Sequence, residues 1–141
     1  MGRGDVEAMI IIDSNILIFG ETSGAPEQDK AISKYKEAVA AGNIGVNVII
    51  LSEFFHKSRL INSRENAAAR VSDILNHPSV QFLVFEPDTI IRAAKLARDF
   101  QMRINDALIA QQAIETGSAV LTDNVKDFKK IKSIRIIPLR G

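Results

Sequence analysis

The chain has no cysteine. Disulfides, thiol nucleophiles and thiolate zinc sites are thereby excluded, and a reducing cytoplasm suits such a composition. Long hydrophobic runs are missing too: the longest, residues 8–12, falls far short of the roughly 20 residues that cross a bilayer. Asp5 and Glu7 precede that run and Asp13 ends it, which is unlike a secretory signal. Net charge is small, +1 over 141 residues, so no global field draws the chain to nucleic acid. Internal repeats, linkers and low-complexity stretches are also missing.

What is present is the balance of a globular protein, 46% hydrophobic and 25% charged, long enough to bury one good core. Residues 1–8 read as a flexible N-terminal extension and 9–141 as one domain. Charge is uneven near the end, where Lys126, Lys129, Lys130, Lys132, Arg135 and Arg140 face the single acid Asp127. Such a tail suits either solvent or phosphates.

Residues 9–17 organise the chain. An apolar, β-branched run stops at Asp13-Ser14-Asn15, the pattern of a strand buried on both faces in a parallel sheet. Asp13 then lies at the carboxyl edge of a central strand, where α/β sheets bind ligands. The same Asp13 also suits a cap on a short helix over residues 14–17.

Residues 21–28, with Gly24 and Pro26, read as a loop, and residues 30–41 as a helix with Ala31, Ile32, Tyr35, Ala38 and Val39 inward and Gly42 as its stop. A second strand over 44–49 leads into a helix that Ser52 caps, with Glu53 in its first turn. Arg64–Asn76 is the next helix, with Ala67, Ala68, Val71, Ile74 and Leu75 inside; a turn at 61–63 makes the two a protruding hairpin suited to dimerisation or substrate contact. A strand over 80–85 follows, then a helix over Pro87–Phe100 that turns Ile91, Ala94 and Ala97 or Leu96 inward. Ile104–Thr116 is helical and closed by Gly117, and strands at Ala119–Thr122 and 134–137 complete the chain. Alternating strands and helices predict a three-layer α/β/α fold around a mainly parallel five-stranded sheet.

Four acids share a local setting that the other carboxylates lack. Asp13 ends strand one, Glu53 follows strand two, Asp106 opens an apolar helix and Asp123 follows strand four. In a parallel sheet all four lie at one edge, and helix N-termini favour Glu53 and Asp106 there. Convergence is costly, since two carboxylates about 5 Å apart repel by roughly 3 kcal/mol at an effective dielectric near 20. Protons or a cation must offset this, and oxygen ligands select magnesium or manganese over zinc. Such an ion polarises phosphoryl oxygens and activates water, chemistry that suits phosphodiester hydrolysis.

At these residues the chain resembles the PIN-domain ribonucleases and, within them, the VapC-like toxins of type II toxin–antitoxin modules. The resemblance rests on Ile11-Ile12-Asp13-Ser14-Asn15-Ile16-Leu17, Ser52-Glu53-Phe54, Ile104-Asn105-Asp106-Ala107-Leu108-Ile109-Ala110 and Leu121-Thr122-Asp123-Asn124-Val125-Lys126-Asp127-Phe128, in that order. It implies a PIN-like domain that cleaves RNA with Mg2+ or Mn2+ held by Asp13, Glu53 and Asp106. A homodimer and an antitoxin partner are also implied. Where many members carry an acid two residues after the Thr, this chain has Asn124, so the fourth acid is open between Asp123 and Asp127. Ser14, Asn15, Thr122 and Asn124 would orient the carboxylates. Lys126, Lys129 and Lys130 would meet RNA.

Three other readings stand beside this one. They are an RNA-processing PIN nuclease outside any toxin module, a noncatalytic PIN-like scaffold, and a receiver-type phosphoacceptor. The last lacks an acid beside Asp13, and no Asp follows the third strand in the place that reading requires. Glu53 and His56 have the spacing of a di-iron pair, but the second such pair is missing and His77 stands before Pro78, so both histidines read as structural or surface residues. Asp88 reads as a helix-start acid and Asp99 as part of a wet face.

Overall fold

The computed structural model describes residues 8–22 and 24–140. Most of the expected N-terminal extension, residues 1–7, lies outside the described residues. In chain order the elements are β1 (Ile10–Ile12), α1 (Ser14–Glu21), α2 (Gln28–Ala41), β2 (Ile44–Asn47), α3 (Val48–Ile61), α4 (Arg64–Asn76), β3 (Val80–Leu83), α5 (Pro87–Phe100), α6 (Ile104–Thr116), β4 (Ala119–Thr122), α7 (Val125–Phe128) and β5 (Arg135–Pro138).

The five strands form one sheet in the order β3-β2-β1-β4-β5, and every pairing is parallel. Ile11, Ile12, Ile44, Val46, Val120 and Leu121 are buried in its centre, as a sheet covered on both faces requires. From β1 the chain steps outward to β2 and β3, then crosses back to β4 and β5. Right-handed crossovers place α1 to α4 on one face and α5 to α7 on the other. The packing of α1 on α2 and α3, of α3 on α4, and of α5 on α6 agrees with this. The direction of winding reverses between β1 and β4, so the crevice at their carboxyl ends is the topological switch point.

Local chemistry sets the element ends. Gly42 and Gly117 close α2 and α6 at φ 93 and 66, a left-handed conformation that glycine adopts without strain. Asn47 rather than Ser52 caps α3: its side chain accepts from the Ile50 amide at 2.9 Å, while the Ser52 hydroxyl donates back to the Ile49 carbonyl. Strand two is therefore shorter than the β-branched run suggests, and Glu53 lies in the second turn of α3, beyond the strongest effect of the helix N-terminus. Val48, Ile49 and Ile50 are modest helix formers, but burial of Ile50, Leu51 and Phe54 overrides propensity.

Helix α5 also departs from expectation. Its buried side chains are Thr89 and Ala93, whereas Ala94 is exposed and Ile91 is 68% exposed. Apolar residues cover a wide face of this helix opposite Asp88, Arg92, Lys95 and Asp99, and only one edge of that face is buried. Contact with α6 selects that edge: small Ala93 permits close approach, and Thr89 and Arg92 both bond Glu115 of α6. In α4 only Ala67 is buried, while Val71 and Ile74 are half-buried and Ala68 and Leu75 are exposed. As the outer helix of a two-helix hairpin, α4 packs chiefly on α3 and meets the sheet mainly at β3.

Candidate active site

Asp13 follows β1 at the switch point, its amide bonded to the Leu121 carbonyl of β4 at 2.9 Å. It is 4% exposed. One carboxylate oxygen accepts from the Ser14 amide at 2.8 Å and so caps α1. The other accepts from the Thr122 hydroxyl at 2.7 Å and from the Asn15 amide group at 3.2 Å. Capping and site roles therefore coexist in one side chain. Burial drives its pKa from 3.8 up to about 6, although the Thr122 and Ser14 donors oppose the rise. The charges of Asp106 and Glu53 push it further the same way.

Helix α3 brings Glu53 alongside. The Ser14 hydroxyl donates to one Glu53 oxygen at 2.8 Å and Asn105 Nδ2 to the other at 3.3 Å. Asp106 stands half-buried in the first turn of α6 and accepts from Asn124 Nδ2 at 3.3 Å. Its pKa is raised first by burial and further by Asp127 and Glu53, with Arg103 opposing. The charges of Asp106 and Glu53 thus reach Asp13, and those of Asp127 and Glu53 reach Asp106, in a linked chain. Asn47 supports two of these walls from behind: fully buried, it caps α3 and donates to Gln112 of α6 at 2.8 Å.

Asp123 is placed differently. Its amide is held by Asn15 Oδ1 at 3.1 Å, but its carboxylate takes a bidentate pair from Arg140, at 2.9 and 3.0 Å. Asn124 serves twice, its own amide donating to the Thr122 hydroxyl at 2.8 Å. Of the three lysines, Lys126 and Lys129 are exposed, and Lys130 reaches Asp127 and the Gln101 carbonyl. His56 lies exposed beside Arg59, and His77 accepts from the Ser79 amide, so neither histidine joins the carboxylates. Asp88 opens α5 and Asp99 pairs with Lys95 on its wet face.

Asn47 and Asn105 carried no role in the sequence reading, and Arg140 entered it only within a basic tail suited to solvent or phosphates, whereas it pairs with Asp123 and Glu27. Asn105 had one signal, its place beside Asp106; Arg140 had none, because its partner lies across the β4–β5 pair. Among the described residues no three histidine or acidic side chains stand close enough to hold a metal ion as placed. The donor set still fits a hard divalent cation, being made of oxygens whose like charges perturb one another and whose most buried member resists ionisation.

A PIN domain family model matches residues 10–134. The chain belongs to the PIN domain family. That membership removes the receiver-type reading. No curated protein matches the sequence. Among solved structures this PIN domain is similar to the VapBC2 complex of Rickettsia felis bound to a promoter DNA fragment, at 18% identity over 92% of this chain and 98% of that one, TM-score 0.73. VapBC-1 of nontypeable Haemophilus influenzae matches at 16% identity, 94% and 99% coverage and TM-score 0.73. VapC20 of Mycobacterium tuberculosis, a toxin that cleaves the sarcin–ricin loop, matches at 15% identity, 83% and 92% coverage and TM-score 0.65. At such identities the likeness is one of fold.

Proposed function

We propose that this PIN domain is a divalent-metal-dependent endoribonuclease and the toxin of a toxin–antitoxin pair. The observation that carries this reading is the juxtaposition of Asp13, Glu53 and Asp106 at the switch point, where each aspartate senses its neighbours' charge. Asp13, Glu53, Asp106 and Asp127 would hold Mg2+ or Mn2+, which when bound supplies phosphoryl polarisation and an activated water. The chain's own residues prepare that site. Thr122 and Asn15 fix the rotamer of Asp13, Ser14 and Asn105 fix both oxygens of Glu53, and Asn124 steers Asp106. Such oriented donors keep carboxylates in place without supplying counter-charge. Exposed Lys126 and Lys129, with Lys130, attract RNA phosphates to the crevice.

The toxin assignment is supported by the neighbours, several of which are toxin–antitoxin complexes. An antitoxin would cover the apolar cavity of about 520 Å³ among α1 to α4. Exposed Phe82 and Val84 at the β3 edge, with Ile90 and Ile91 of α5, support a homodimer. Among the described residues no helix is long and apolar enough to cross a membrane. A cytoplasmic setting, where RNA and a partner are at hand, belongs to the proposal.

Cleavage of a mixed RNA panel by wild type and Asp13→Ala, in Mn2+, in Mg2+ and in chelator, tests the reading. Metal-dependent cutting that the substitution abolishes is expected. Metal-independent cutting, or equal cutting by the variant, would overturn it. A noncatalytic scaffold predicts no cutting and no Mn2+ binding by calorimetry.

A further inference from the structure

We infer that Arg140 is a positioning residue that withholds Asp123 from the metal centre, leaving the cation to the other four carboxylates. The inference rests on the nuclease reading and refines its ligand set. By topology Asp123 is well placed to be a ligand, since it follows β4 directly at the switch point and its amide is tied to Asn15, next to Asp13. Its side chain is nonetheless committed elsewhere. Arg140 Nε and one terminal nitrogen meet the two carboxylate oxygens at 2.9 and 3.0 Å, and the other terminal nitrogen meets Glu27 at 3.1 Å. A planar guanidinium held at three points has little freedom, and the paired fork fixes the carboxylate plane.

The backbone delivers Arg140 to this place. Pro138 pairs with Thr122 in the sheet, and the Leu139 amide extends that pairing to the Thr122 carbonyl at 3.1 Å. The Leu139 side chain is 1% exposed and anchors the segment, so Arg140 emerges over the crevice rim beside Asp123. Electrostatics agree with the assignment. Asp106 and Glu53 act on Asp13, and Asp127 and Glu53 act on Asp106, which are the four carboxylates left to the cation. A fifth carboxylate there without a cationic partner would add repulsion with its neighbours and overfill a divalent site with negative charge. Pairing with Arg140 removes that excess and makes the coordinating set specific.

Manganese binding by calorimetry on the full metal-free chain, at one pH and ionic strength, tests this in wild type, Asp123→Asn, Arg140→Gln and the double variant. Asp123→Asn is expected to bind Mn2+ within about twofold of wild type. Arg140→Gln frees the carboxylate and is expected to tighten binding about five- to tenfold or to add a second equivalent, and the double variant to return to wild type. A tenfold loss of affinity in Asp123→Asn would show Asp123 to be a ligand and overturn the inference, as would an Arg140→Gln isotherm identical to wild type. Should Arg140→Gln fail to fold by circular dichroism, Asp123→Asn decides alone. Absence of Mn2+ binding in the wild type would instead remove the nuclease reading and the inference with it, an outcome distinct from the others.

Discussion

Helix α1 serves two regions built on opposite principles. At its start Asp13, Ser14 and Asn15 enter the polar crevice; further along, Ile16, Leu17 and Gly20 line the apolar groove, with Ile32, Tyr35 and Phe54 opposite. In the crevice polar groups are bonded to one another across long sequence distances, and among the described residues no buried side-chain donor or acceptor lacks a partner. In the groove the walls are mainly aliphatic and aromatic, with Glu21, Lys36, Arg70 and Asp73 among them, and are built by helix packing on helix. A directional network fails when one member is removed, because the others are left buried and unpaired; an apolar wall open to water tolerates exchange. The crevice is therefore suited to fixed chemistry and the groove to a partner.

The most damaging way to break this contrast is Asn47→Ala. It removes the cap of α3 and strands Gln112, which is 3% exposed, so a loss of about 3 to 4 kcal/mol is expected in urea unfolding. A loss below about 1 kcal/mol would mean that the crevice walls do not depend on that link.

Next comes pH. The folded chain keeps a proton on Asp13 up to about pH 6, whereas the unfolded chain releases it near 3.8, so the folded state binds more protons in that window. Stability of the metal-free protein therefore falls as pH rises from about 4 to 6, by on the order of 3 kcal/mol, and levels off above. Burial of Asp106 acts in the same direction. In Asp13→Asn most of that fall should vanish from a urea series across pH; an unchanged slope would place the titration elsewhere.

Thr122→Val keeps shape but removes the donor to Asp13 and the acceptor for the Asn124 amide. About 2 kcal/mol should be lost near neutral pH. The steep part of the stability profile should also move to higher pH, because a lowering influence on Asp13 is gone. A profile that keeps its midpoint would deny Thr122 that influence.

The smallest effect belongs to the groove. Ile32→Glu should cost less than about 1 kcal/mol, leave RNA cleavage intact and abolish capture of the protein partner. Impaired cleavage with normal stability would show that the two regions are coupled through α1.

Several parts of this protein could be read without coordinates. The buried strand ending at Asp13 is legible because a β-branched run stopping at a carboxylate has few other uses, and α2, α4, α5 and α6 are legible from apolar spacing closed by Gly or preceded by a cap. The start of α3 was not, since Val48, Ile49 and Ile50 favour strand locally and only the packing of Ile50, Leu51 and Phe54 makes them helical. Which part of the wide apolar face of α5 is buried was hidden, because contact with α6 selects only the edge carrying Thr89 and Ala93. In the site, Asp13, Glu53 and Asp106 could be nominated from their positions after strands and at a helix start. The bonds of Asn105 to Glu53 and of Arg140 to Asp123 could not, because such pairs join residues 52 and 17 positions apart with no pattern between.

The sequence by itself determined the alternating elements, the parallel sheet and the acids that reach its carboxyl edge, because periodicity, capping and strand composition act within a few residues. Tertiary structure alone decided which acids face one another and which is paired with arginine. Burial and electrostatic coupling depend on distances through space, and only the folded sheet sets those.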